Sequence, residues 1–461
     1  MVQILDVMQK ALEGKPVSET DYQLRLFAPK VMEKVKEHKI KYDPSRPIPD
    51  DPSMMDELFE AGMELLVDVG AYCTTTGRVI SYTEGEVKEA LRNAPSKLHF
   101  GEGRDRKHLV TRKVGDKTPP WCLLGAGGGA CSSDKSFLTL VEGYAEIPET
   151  NAITTPAITR VGGMRVRPAS PLEVLAAMRN AVLAREACNR VGRQGIPIMN
   201  SLATAESDIA LAAALHPKYG MRQSDGYMIC CMDPMKVDFA RLNKATVALS
   251  LGGHIGMCFG PLLGGYSGGP EGTAVSNVAH HMMGILTYQS SWLLPFTLHL
   301  RYVASSPRDM LWVISSMGQA ISRNTHLLSL NLNYTTAGPC TPMCLYETSA
   351  SVTAAVTAGL SIESLGVATN KHEDRTTPVE PRLSAEVGHA VAGMKLSDAN
   401  ELVKQLLKKY ETKLNSPPLG KSLYECWDPD ARKPSKEYQG VIRRFKAEMD
   451  NLGVKLRPES P

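Results

Sequence analysis

From about Lys97 onward the chain alternates short apolar runs with longer segments of helical periodicity, and this rhythm limits its folds more than any other feature. The runs are KLHF (97–100), WCLLGAG (121–127), AITTPAIT (152–159), 195–199, 227–232, 255–262, 296–301 and 328–332. Each is strand-sized and bounded by turn residues. Ser170 and Pro171 open a helical segment as N-cap and first helical residue. Others are expected at 204–215, 234–249, 273–289, 307–325 and 342–358. Repeated strand–helix units of this size need parallel strands joined by right-handed crossovers. The expected class is therefore α/β, and a TIM-type (β/α)8 barrel accommodates the units without open edges. A doubly wound open sheet is the alternative.

Helices flank this region. Residues 21–37 and the stretch DELFEAGMELLVDVG, ended by Gly70, carry apolar residues at helical spacing, and Thr83 with Glu86 has capping-box spacing. Helices are expected again at 384–394, 397–410 and 435–451. The expected division is an N-terminal helical extension (1–95), the barrel (96–370) and C-terminal helices packed on it (371–461).

A chain of 461 residues, 43% hydrophobic and 22% charged, can bury a large core. Its net charge of +3 is spread along the chain, which argues against nucleic acid. No run approaches the roughly 18 apolar residues of a membrane span, and the first ten residues lack the pattern of a signal peptide. Ten cysteines then read as free thiols of a cytoplasmic protein. Of the adjacent Cys230 and Cys231, at least one is expected to be packing, since neighbours on a strand face opposite ways.

GAGGGACSS (125–133) lacks the spacing of a dinucleotide fingerprint and reads as a loop at the end of a barrel strand. GPLLGGYSGGP (260–270) sets glycines around Tyr266, suited to close backbone packing or to a tight turn. Cys340 and Cys344 lie four apart; with His254, Cys258 or His299 they would make a zinc site, against a plain helix start. His299 and Arg301 alternate in TLHLRY and share a face if that segment is a strand.

Several segments then carry a specific likeness. LFEAGMELLVDVGAYCTTTGRVISYTEGEV, LLGAGGGACSSD, SPLEVLAA, GGYSGG, SSWLLPFTLHLRY, AGPCTPMCLYETSAS and GKSLYECWD occur in order along almost the full length. Together they resemble the monomethylamine methyltransferase family. The resemblance implies a TIM-barrel enzyme, a homohexamer or other homo-oligomer, that passes a methyl group to the cobalt of a corrinoid (cobalamin) on a cognate corrinoid protein and holds no tightly bound cofactor or metal itself. The family's pyrrolysine is matched by Met199, its two neighbouring glutamates by Met228 and Cys258, and its glutamine by Leu332, while its tyrosine is kept as Tyr334. Met199, Tyr334 and Asp225 are the expected catalytic residues, and Met228, Cys258, Leu332, His299 and Arg301 the expected substrate-binding residues. Methionine offers no electrophile for an amine, so the expected donor is another small methylated compound, such as a quaternary amine, held by apolar and ring-face contact with Asp225 as balancing charge. The alternatives are a non-catalytic barrel that binds a corrinoid protein or methylated ligand, and a zinc-dependent methylthiol-type methyltransferase.

Overall fold

The computed structural model of the chain describes residues 2–127, 129–200, 207–367 and 372–458. Eight short strands run through the core: β1 (Cys122–Gly125), β2 (Ala152–Thr154), β3 (Met199–Asn200), β4 (Gly226–Cys230), β5 (His254–Phe259), β6 (Trp292–Pro295), β7 (Leu330–Thr335) and β8 (Ser361–Val367). They pair in parallel as two four-stranded sheets, β3-β4-β5-β6 and β7-β8-β1-β2. Single parallel bridges, Ile153 to Ile198 and Leu293 to Ser329, lie where β2 meets the approach to β3 and where β6 meets the approach to β7. The class is α/β, and between the two sheets the ladder is reduced to these bridges.

A helix follows every strand: Asp134–Ala145, Pro171–Arg190, Asp208–Ala214, Phe239–Ser250, Pro270–Thr287, Arg308–Asn324, Pro342–Thr357 and Val379–Ala390, in order. Local chemistry sets their starts. Thr341 accepts from the Cys344 amide with Pro342 in the first turn. Pro171 opens its helix as expected, but Ser170 donates to Arg167 O instead of capping.

Where burial is described, the strands are covered on both faces. Ile153, Ile229, Met257, Leu293 and Ile362 pack towards the helices. Leu123, Met199, Met228, Cys258, Leu294, Leu330 and Leu332 form a separate cluster in the central space. Burial on both faces is why these strands read as continuous apolar runs.

Three strand expectations are corrected. KLHF (Lys97–Phe100) is not a core strand; it pairs antiparallel with Lys107–Val110. Its exposed–buried alternation already marked a one-sided strand. Leu98, Phe100 and Leu109 join the central cluster at the amino ends of the strands, where the Phe100 ring lies 5.7 Å from Trp121 and 5.3 Å from His254. The strand expected at 296–301 lies earlier, in the apolar Trp292–Pro295, and beyond it Leu298–His299 pairs with Leu262–Leu263 and His299 bridges Ala304. The eighth strand, Ser361–Val367, was not expected, because Ser361, Glu363 and Ser364 break up its apolar run.

The first hundred residues contain Ile4–Glu13, Ala28–Glu37, Pro52–Val69 and Glu84–Asn93, the last with the expected Thr83–Glu86 capping box. Pro52–Val69 packs on Pro270–Thr287 at Gly62, where a Cβ would lie 2.4 Å from Val278 Cγ1. Leu396–Tyr410 and Lys436–Asn451 close the chain, the latter reaching Pro342–Thr357 through Phe445, whose ring is 5.9 Å from Tyr346. Among the described residues, no helix is long and apolar enough to cross a membrane.

Candidate active site

The inward rows of the strands build the site. Its floor is aromatic: Trp292 lies across Gly256, where a Cβ would sit 2.1 Å from the indole, so only glycine admits the ring. Trp292 donates to His254 O at 3.3 Å. Above the floor, Met199 pairs with Gly226, Met228 with Gly256, and Cys230 with Cys258. On the other sheet Glu363 lies between Leu332 and Leu123 in register. Burial eases towards the carboxyl ends: Met199 is fully buried, whereas Cys230, Phe296 and Tyr334 are half-buried against the same cluster.

Five of the expected residues, Met199, Met228, Cys258, Leu332 and Tyr334, thus meet in one central cluster. A bulge between Asn333 and Tyr334 shifts the register on β8, and both Leu332 and Tyr334 still pack on that cluster.

The other three do not join them. Asp225 is 1% exposed and precedes β4, at the amino end. It accepts two bonds from Arg185 Nη2, at 3.0 and 2.8 Å, and others from the Ile198 and Arg222 amides. Burial raises its carboxyl above the ordinary value and Arg185 opposes this, so Asp225 ties strand approaches together and is not a charge facing the site. His299 sits beyond β6 with its ring 4.6 Å from Tyr302 and Nε2 3.7 Å from Asp309 Oδ2. Arg301 lies in an exposed turn over the Tyr302 ring, its amide donating to His299 Nδ1. The shared strand face expected for this pair is absent because the chain has already left the sheet.

The zinc constellation does not converge. His254 and Cys258 stand at opposite ends of β5, roughly 13 Å apart at about 3.3 Å per residue. Cys344 is buried with its Sγ 3.7 Å from Thr335 Oγ1. Among the described residues no group of three or more His, Cys, Asp or Glu side chains has a metal-binding arrangement.

Two groups that sequence reasoning left out belong here. Cys230 faces Cys258; hydrogen bonding between the thiols draws Cys230 below its ordinary value and pushes Cys258 well above. Lys244 and Arg241 behind Cys230 act in the same direction on it. Glu363 is the one acidic residue in the eight strands. It is 1% exposed, its Oε2 has no hydrogen-bond partner among the described residues, and burial pushes its carboxyl up to about 8, with Thr154 opposing and Cys230 adding to the rise. Its signal in the sequence was a lone acid inside IESLGV, legible only once that segment is known to be a strand.

Comparison with known proteins is consistent over the whole chain. The family model described as "Monomethylamine methyltransferase MtmB" matches residues 2–454. Monomethylamine methyltransferase MtmB1 of Methanosarcina barkeri is 33% identical over 454 residues, 97% of each chain. The enzyme of Methanosarcina mazei is 32% identical over 454 residues, again 97% of each. The crystal structure of the M. barkeri enzyme superposes with a TM-score of 0.94 at 32% identity, covering 98% of both chains, and a hydroxylamine complex of MtmB does so with 0.95.

Proposed function

The chain belongs to the monomethylamine methyltransferase family, and from that premise we propose that it moves a methyl group from a small methylated compound, other than monomethylamine, to the cobalt of a corrinoid carried by a partner protein. We read the eight strands as a closed TIM-type barrel; its support is the pair of bridges that continue the ladder from each sheet to the other. The site then lies at the carboxyl ends of the strands, where enzymes of this architecture work.

One observation carries the reading: Met199, Met228, Cys258, Leu332 and Tyr334 converge in a single cluster that is buried except at half-buried Tyr334. Such walls suit a compact methylated group and are too closely packed for a corrin ring. The corrinoid would therefore meet the donor at the rim, where Tyr266, Leu300 and Val303 stand exposed in the loops after β5 and β6. A reduced corrinoid supplies the cobalt nucleophile. The protein's part is to strip water from the donor, fix the methyl carbon towards the rim and offer the Tyr334 ring face to a cationic donor. With Met199 at the place matched to the family's pyrrolysine, no electrophile serves a primary amine, so the donor must arrive activated. Homo-oligomerisation is part of the proposal and is supported by Leu5, Leu12, Leu24 and Met32, all exposed on the N-terminal helices.

The test is anaerobic. Enzyme, reduced corrinoid protein and single donors from a quaternary ammonium, sulfonium, thioether and methylamine panel are mixed while the corrinoid's visible spectrum is followed. Consumption of the reduced corrinoid with a quaternary or sulfonium donor but not methylamine is expected. Silence across the panel, or turnover with methylamine alone, overturns the reading.

A further inference from the structure

Among the described residues, the strand interior holds one carboxyl, Glu363, and no cation is paired with it. We propose that Glu363 is the charge partner of the methyl donor and that it restricts the site to fully alkylated cations, giving up a proton to solvent as the cation enters. The inference rests on the methyl-transfer reading for the identity of the site, and extends it to a residue and a substrate class.

Geometry supports it first. Glu363 occupies the same register level as Leu332 and Leu123 and points into the central space, since its neighbour Ile362 packs outward. Its Oε2 has no partner among the described residues. The groups facing it are Thr154 on β2, the Cys230 and Cys258 thiols on β4 and β5, and Tyr334 on β7; β1, β3 and β6 present Leu123, Met199 and Leu294, which carry no charge. Lys244 and Arg241, whose charges act on Cys230, stand behind it on the Phe239–Ser250 helix.

The class of cation follows from the walls. A buried carboxyl without a positive partner stays protonated, as the rise to about 8 expresses. An entering cation stabilises the carboxylate, and the proton leaves to buffer. A primary ammonium brings three N–H donors, and among thioether, aliphatic and thiol walls only the Thr154 and Tyr334 hydroxyls could accept from it beside Glu363. A quaternary ammonium or sulfonium brings no donor to satisfy and suits the same walls through contact and ring-face attraction.

Calorimetry on the full chain, without corrinoid protein, separates this inference from the methyl-transfer reading. The probes are tetramethylammonium, methylammonium and tert-butanol, a neutral molecule of similar size. Tetramethylammonium is expected to bind best and to release close to one proton at pH 7, read from buffers of different ionisation enthalpy. Its affinity should rise about tenfold per pH unit up to about pH 8 and level off above. Glu363→Gln should lose at least about tenfold in affinity and all proton release, while tert-butanol binding is unchanged. Equal binding of tetramethylammonium and tert-butanol to the unmodified protein overturns the inference without needing any variant. Proton release that survives Glu363→Gln but disappears in Cys230→Ser overturns it too, making the thiol the counter-ion. Cation binding as expected without methyl transfer would leave Glu363 assigned and sink the methyl-transfer reading alone.

Discussion

Two buried carboxyls of this chain sit in opposite surroundings. Asp225 is clasped by Arg185 and two amides at the amino end, so Asp225→Asn strands a buried guanidinium. Chemical denaturation should register a loss of about 3 kcal/mol or more, with the donor preference of surviving protein unchanged. Among the described residues Glu363 has no such clasp, only Thr154 favouring its charged form. Folding raises it from 4.5 to about 8, so the protonated form favours the fold: its contribution is complete below pH 4.5 and is lost as pH rises through 8. Urea titrations from pH 5 to 8 should show the unmodified protein losing up to about 1.4 kcal/mol per pH unit relative to Glu363→Gln; parallel pH profiles would refute the burial argument. At Tyr334 the ring is what matters, so Tyr334→Leu should weaken tetramethylammonium binding by about threefold to thirtyfold, and Tyr334→Phe should bind as the parent does.

At the scale of elements, the sequence is legible where burial is simple. Runs apolar on both faces, such as CLLG and GYMIC, announce core strands, and helix starts are announced by Thr83 with Glu86 and by Thr341 with Pro342. Legibility fails where function or closure places polar residues inside. SIESLGV does not announce a strand because its middle is polar, so the strand and its carboxyl escape a reading by apolar runs together. The cluster of Met199, Met228, Cys258, Leu332 and Tyr334 was accessible through family likeness, whereas the exclusion of Asp225, His299 and Arg301 depends on where strands end, which periodicity does not fix. The hairpin around Phe100 has a measurable worth: Phe100→Ala removes a fully buried ring from the floor, and denaturation should show a loss of about 3–5 kcal/mol. Gly256→Ala forces a methyl into the Trp292 indole; an altered near-ultraviolet tryptophan signal and a loss of about 1–3 kcal/mol are expected.

For the whole molecule, exposed apolar residues are scattered over several elements, and two groups of them bear on assembly. Leu5 and Met32, 75% and 73% exposed, lie on the N-terminal helices, and Leu300, 55% exposed, lies at the rim. Light scattering should report an oligomer that Met32→Asp shifts towards monomer, whereas Leu300→Asp should leave the mass unchanged and slow methyl transfer to the corrinoid protein by about tenfold or more. The aromatic hairpin has a kinetic implication for traffic. Phe100, Trp121 and Trp292 pack at the amino ends of the strands, so a donor in the proposed site would be reached from the carboxyl ends, the side a docked corrinoid protein would cover. The small molecule must enter first and its demethylated remnant must wait for the macromolecule to depart, so initial-rate patterns should be those of compulsory-order addition.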